Sequence, residues 1–171
     1  MAFTLWKHIR NHMFEKVIKL MENPTPLNLW ILNKLLRRAI PFNIPHGLDI
    51  KSLHKNKVEV DLPYKHYNWN HLKGQHACAI ATVGEYCAGL NLMLHFNPTQ
   101  YRYLLMELKI TYHKQGKSRL TGISQYSQNL EAQEILTPIM ISDIYNDKQE
   151  LVAQVESKWQ IKKWDLLKNK T

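Results

Sequence analysis

Apolar positions recur at three- and four-residue steps near the start of the chain: Phe3, Leu5, Trp6, Ile9, Met13, Val17, Ile18 and Leu20. That period predicts an amphipathic helix from Phe3 to Met21, with Lys7, Arg10, Lys16 and Lys19 among its polar positions. Asn23-Pro24-Thr25-Pro26 breaks it. A second helix is expected from Leu27 to about Ala39, and Pro41-Phe42-Asn43-Ile44-Pro45-His46-Gly47 reads as a stiff connector. From Val58 the period becomes two. Val58-Glu59-Val60-Asp61-Leu62 alternates as a half-buried strand does, and Pro63 closes it.

After a polar loop from Lys65 to Gln75, the segment from His76 to Leu94 is apolar almost all round. Its length suits a membrane span, but Glu85 near its middle would be costly in lipid, and amphipathic strands surround it. A helix that is apolar all round in a globular chain is a buried one. Beyond Pro98 alternation returns: Met106, Leu108, Ile110 and Tyr112 share one face, with Glu107, Lys109 and Thr111 on the other. Gln115-Gly116-Lys117 reads as a turn into a strand through Leu120 and Ile123. Ile135 to Tyr145 is a third candidate strand, and Asn146-Asp147-Lys148-Gln149 leads into a last one. There Leu151, Ala153, Val155, Trp159 and Ile161 share a parity. Strands joined by short turns indicate an antiparallel sheet, so the class is α+β, with one sheet curled about one buried helix. Residues 1–55 are assigned to a helical extension packed on the core, 56–165 to the sheet-and-helix domain and 166–171 to a basic tail.

Composition narrows the function. The 171 residues are 44% hydrophobic and 22% charged, close to the globular average, which excludes a disordered or fibrous chain. Lysine and arginine number 23 against 14 acidic residues, a net +9, which favours a polyanionic or phosphate-bearing partner. Cys78 and Cys87 lie about 13 Å apart if that segment is helical (at roughly 1.5 Å per residue), too far for a disulfide. They read as small core residues in a reducing compartment. No secretory signal is visible at the start, and a cytoplasmic protein is expected.

A carboxylate inside a buried helix must be paired, protonated or functional, and Glu85 is the anomaly of the chain. Just before its helix, Asn68-Trp69-Asn70-His71-Leu72-Lys73-Gly74-Gln75-His76 sets polar donors beside the free backbone N–H groups of the helix start, a ready site for negative charge. The spacing of Asn70, His76 with Ala77, and Glu85 resembles that of the hotdog-fold thioesterases, in the phenylacetate-pathway branch with its Asn-x5-His-Gly-Gly-x6-Asp/Glu pattern. Leu108-Lys109-Ile110-Thr111-Tyr112 followed by Gly116 resembles that family's next strand and turn. Val152-Ala153 and Trp159 fit its last strand. The likeness runs from about Val58 to Lys163. The extra N-terminal helices and the Pro-Phe-Asn connector resemble an uncharacterised bacterial branch of these thioesterases. Ala77 and Cys78 replace the two family glycines, which crowds the first turn.

The resemblance implies a hotdog fold, hydrolysis of acyl-CoA or acyl carrier protein thioesters, and a homodimer or dimer of dimers with its sites at the subunit interface. Spacing independently asks for two chains, since His76 and Glu85 are about 13 Å apart along one helix (at roughly 1.5 Å per residue) and cannot share one carbonyl. On this reading the Ala77 N–H holds the oxyanion, Glu85 from the partner chain activates water or attacks, Asn70 orients the water or the carboxylate, and His76 shapes the turn. Lys114, Gly116, Lys117 and Arg119 would meet the nucleotide end of coenzyme A, and Tyr86, Leu90 and Met93 would line the acyl pocket.

No cofactor or metal is expected: His8 with His12, and the His66, His71, His76 series, lack a full ligand set. A hotdog dehydratase would need a His-x-Phe-Pro-type loop, which is absent. The alternative function is a non-catalytic acyl-CoA-binding hotdog protein with a regulatory or membrane-associated role. The basic first helix would then make a weak membrane contact, and no nucleic-acid partner is expected.

Overall fold

The computed structural model describes residues 2–126 and 135–166, with side chains from residue 11 onward; most of the expected basic tail lies outside them. Helices α1 (Ala2–Glu22) and α2 (Pro26–Ala39) open the chain. The break between them is chemically explicit: Thr25 caps α2 by accepting a hydrogen bond from the Asn28 N–H at 3.2 Å, and Pro26 fills the first position. Val17 and Met21 of α1 and Leu32 and Leu36 of α2 are buried in the main core. One turn of 3-10 helix, Pro41–Asn43, then leads to the sheet.

The sheet comprises β1 (Asp49–His54), β2 (Lys57–Leu62), β3 (Tyr101–Tyr112), β4 (Leu120–Gln125), β5 (Ile135–Leu136), β6 (Ile139–Asn146) and β7 (Leu151–Lys163). All pairings are antiparallel, in the order β1-β2-β4-β6-β7-β3, with the short β5 on β7. Helix α3 (Ala77–His95) lies against β2, β4, β6 and β7. Among the described residues it is the one helix long and apolar enough to cross a membrane, and it is the one the sheet encloses. The α+β class and the curled sheet expected from the pattern are both present.

Four contacts set how closely α3 lies on the sheet. A Cβ on Gly84 would meet the Val155 Cβ at 2.6 Å, so the helix backbone rests directly on β7. A Cβ on Gly122 would meet the Cys87 Sγ at 2.9 Å, so β4 approaches the helix in the same way. Buried Ser142 of β6 donates to the Gly84 carbonyl at 2.9 Å, and buried Asn91 of α3 donates to the Ser124 carbonyl at 3.0 Å. Both donors are satisfied in the core, whereas the Asn91 Oδ1 is buried without a partner.

Four expectations are corrected. Strand β1 lies within the stretch assigned to the helical extension, so the sheet begins at Asp49; a register shift between Ile50 and Ser52 places Ile50 and Leu53 both inward and erases the alternation. A second bulge, between Leu105 and Glu107, takes Met106 out of the face shared by Ile110 and Tyr112 and leaves it exposed. The candidate strand from Ile135 to Tyr145 is two strands, β5 and β6, split before Ile139; there the Pro138 carbonyl accepts from the Trp159 N–H. Cys87 is buried as expected, but Cys78 is exposed in the first turn of α3.

The two sheet edges differ. At β1, Asn33 of α2 receives the Ile50 N–H at 2.9 Å and donates to the Ile50 carbonyl at 3.2 Å, which occupies the edge. At β3 the twelve-residue edge carries exposed Leu104, Met106, Leu108 and Tyr112.

The close approach at Gly84 predicts that Gly84→Ala lowers unfolding stability by about 1–3 kcal/mol, through overlap with the stiff Val155 side chain. Gly89→Ala on the same helix, whose methyl would meet Trp159 at an ordinary 3.5 Å, is neutral or stabilising by up to about 1 kcal/mol. Urea titration of the two variants side by side checks the contrast.

Candidate active site

The loop before α3 is held by a network the sequence does not advertise. Asn68 is fully buried; its amide donates to the carbonyls of His46 at 2.9 Å and Pro63 at 3.0 Å, and its Oδ1 lies 3.0 Å from the His46 Nδ1. The Asn68 carbonyl accepts from the His76 N–H at 2.6 Å. Gln75, also buried, donates to Pro63 and Ser118 carbonyls at 3.2 Å, and its N–H reaches the Gly116 carbonyl at 2.7 Å. These bonds bind the connector, the end of β2 and the Gly116 turn to the start of α3.

On that frame, Asn70 Oδ1 accepts from the N–H groups of Leu72 and Gly74 at 2.9 and 3.0 Å and closes the tight loop in which Lys73 takes a left-handed φ of 56°. The Asn70 amide NH2 has no partner among the described residues. His76 is the N-cap of α3, its Nδ1 accepting from the Cys78 N–H at 3.1 Å. The N–H groups of Ala77 and Ala79 stay open at the helix start, and the Ala77 carbonyl accepts from the Tyr112 hydroxyl at 3.0 Å. Asn70, Ala77, Lys114 and Gly116 all line one groove of about 400 Å³.

Glu85 is not in that groove. It lies about 12 Å along α3 from Ala77 (eight residues at roughly 1.5 Å each) and lines a separate chamber of about 240 Å³. Tyr86, Leu90 and Met93 line that chamber with it, together with Leu36, Ile40, Phe42 and Asn43 from the extension and Tyr103 and Trp159 from the sheet. The half-buried Glu85 carboxyl makes no hydrogen bond or ion pair among the described residues, and burial pushes its pKa up to about 7. It is therefore poised to exchange a proton near neutrality.

The basic residues divide. Lys114 pairs with Glu150 at 3.1 Å on the rim of the first groove, and the Glu150 carboxyl is held below its usual range by a hydrogen bond from Asn146 and by Lys114. Arg119 is turned toward Asp61 at 3.6 Å, outside the groove lining, and Lys117 is exposed beyond it. Among the described residues no group of three or more His, Cys, Asp or Glu side chains is placed to hold a metal. Sequence reasoning gave no site role to Asn43, Tyr103 and Tyr112, which reach it from distant elements with no local motif to mark them; Asn68, counted there among the polar donors, is instead a buried brace of the loop.

A curled antiparallel sheet around one buried helix is the hotdog fold, and solved structures bear this out. A thioesterase from Staphylococcus aureus is 18% identical with a TM-score of 0.64, matching 71% of this chain and 98% of its own. It has been crystallised as a Gln-to-Ala and as a Glu-to-Ala variant. A Haemophilus influenzae thioesterase is 12% identical, TM-score 0.65, over 76% of this chain and 90% of that one. A thioesterase family protein from Silicibacter pomeroyi is 15% identical, TM-score 0.64, over 77% and 96%. No curated protein matches by sequence. Residues 29–161 match the family described as domain of unknown function DUF4442, and the chain belongs to that family.

The raised Glu85 pKa carries a stability consequence. The folded state holds this proton more tightly than the unfolded chain, so the contribution is complete below about pH 4.5 and is lost as pH rises to about 7. Glu85→Gln is expected to be more stable than the parent at pH 8 by up to about 3 kcal/mol (at 1.36 kcal/mol per unit) and indistinguishable from it near pH 4. Urea midpoints at the two pH values test the sign.

Proposed function

We propose that this protein is a thioester hydrolase acting on acyl-CoA or acyl carrier protein thioesters, as a homodimer or dimer of dimers in the reducing cytoplasm. The observation that carries the reading is the unpaired carboxyl of Glu85, poised near pH 7 on the helix whose first turn presents open N–H groups beside Asn70. The interval between the Gln and the Glu replaced in the Staphylococcus aureus protein, fifteen positions, is also that between Asn70 and Glu85.

In this mechanism the Ala77 N–H, at the positive end of α3, polarises the thioester carbonyl and receives the developing oxyanion. Glu85 from the second copy takes a proton as water attacks the carbonyl carbon, and the free Asn70 NH2 orients that water. The tetrahedral adduct collapses with cleavage of the C–S bond; the thiolate leaves and is protonated, and the carboxylic acid remains. Lys114 stands at the groove rim, where the coenzyme's phosphates would pass, with Lys117 beyond. The roughly 12 Å between Ala77 and Glu85 on one helix is why two copies are needed. The unblocked β3 edge, with its exposed Leu104, Met106 and Leu108, supports edge-to-edge pairing of two copies.

Thiol release from a panel of acyl-CoA esters should fall by at least about 100-fold in Glu85→Ala, with kcat/KM of the parent rising with pH through about 7 to a plateau. A no-substrate control is needed because Cys78 is exposed to the thiol reagent. Equal release by parent and variant would remove Glu85 from the mechanism. Absence of release by either, with acyl-CoA still bound, would favour the non-catalytic acyl-CoA-binding role. Leu108→Asp on the β3 edge should yield a monomer by sedimentation and lose turnover although Ala77 and Glu85 are intact. An active monomer would refute the two-chain site.

A further inference from the structure

The helical extension reaches the chamber beside Glu85, and its role there is not explained by covering the core. Leu36, Ile40, Phe42 and Asn43 line one side; α3 supplies Glu85, Gly89, Leu90 and Met93. Asn43 is 6% exposed and its side-chain amide has no partner among the described residues, although it borders the cavity. The amide borders the cavity, where a ligand's polar atom would pair with it. Glu85 is likewise unpaired, and the rest of the lining is apolar or aromatic.

We propose that the segment from Leu36 to Asn43 forms the wall of an acyl-binding chamber and limits it to hydrocarbon groups of medium length, with Asn43 as a positioning residue for the polar end. This rests on the thioester reading above. The chamber's volume of about 240 Å³ gives room for the first several carbons of an acyl tail, and its rim lies at Ile40 and Phe42. The hydrocarbon packs against Leu36, Leu90 and Met93, while Asn43 meets the attacking water that Glu85 deprotonates. Phe42 is 66% exposed and Ile40 37%, so both stand at the rim, where a longer chain must displace them. At Gly89 the space a side chain would take is open toward Trp159, at 3.5 Å from an added Cβ, and belongs to the chamber.

Uncleavable S-alkyl thioethers of coenzyme A with butyl, octyl and hexadecyl chains test this without turnover. By calorimetry on the full-length protein, octyl should bind at least tenfold more tightly than butyl, with no further gain at hexadecyl. Gly89→Leu, which fills the chamber, should abolish the octyl-over-butyl gain. Phe42→Ala, which opens the rim, should extend the gain to hexadecyl. Far-UV circular dichroism and thermal midpoints establish that both variants are folded. The same length profile in parent and variants, or no binding of any thioether, overturns the chamber. A protein that releases thiol yet shows a flat ladder loses the chamber alone. One that releases none but follows the predicted ladder keeps the chamber and loses hydrolysis.

Discussion

The close seating of α3 against the sheet determines most of what this molecule can do. Gly84 and Gly122 remove the side chains that would hold helix and strands apart, while Ser142 and Asn91 donate the hydrogen bonds that join the helix to the sheet, the Asn91 Oδ1 staying buried without a partner. With that face committed, the helix has one open stripe, formed by Cys78, Ala81, Glu85, Gly89 and Met93 at helical spacing. Glu85 is therefore partly desolvated by its neighbours yet still reachable. A looser helix would hydrate the carboxyl and return its pKa toward the ordinary value; a fully enclosed one would bury it from any substrate.

The extension completes this arrangement from the other side. Asn33 occupies the free edge of β1, and Arg37 donates to the Leu48 carbonyl at 3.3 Å, so α2 ends one side of the sheet. The β3 edge has no comparable cover. An edge strand of twelve residues with exposed leucines and a methionine is a template for another strand, and proteins that stay monomeric blunt such edges. Within one chain, then, the extension closes one edge of the sheet and walls the Glu85 chamber, while the opposite edge stays uncovered.

The period-two and period-3.6 patterns were enough to place α1, α2, α3, β2, β4 and β7 and to single out Glu85, because each of those elements buries one clean face. Legibility failed where backbone irregularity breaks the period. The bulges at Ile50/Ser52 and Leu105/Glu107 hid β1 and misassigned Met106, since an extra residue moves the next side chain to the opposite face. The site shows the same division. Asn70, Ala77, Lys114 and Gly116 meet in one groove; the spacing of Asn70 and Ala77 at the helix start was visible, whereas Lys114 and Gly116 entered only through the family resemblance. Asn43 was not, and Asn68 was counted as a donor to the site rather than as the buried brace it is, because an asparagine in a proline-rich connector or a polar loop looks like ordinary turn chemistry until the fold shows what it faces.

The distance between the helix start and Glu85 gives these features a common logic. Charge stabilisation at an open helix terminus needs backbone N–H groups, which exist only in the first turn, whereas raising a carboxyl pKa toward neutrality needs apolar surroundings, which the middle of α3 supplies. One helix cannot offer both at one point. Placing the donors at its start and the acid near its centre keeps each in the environment it requires, and in the proposed two-copy site the gap would be closed by pairing two helices rather than by bending one. The same separation sets the apolar lining around Glu85 apart from the groove that carries Lys114, so under the proposed function the two ends of an amphipathic thioester would meet surroundings of matching polarity.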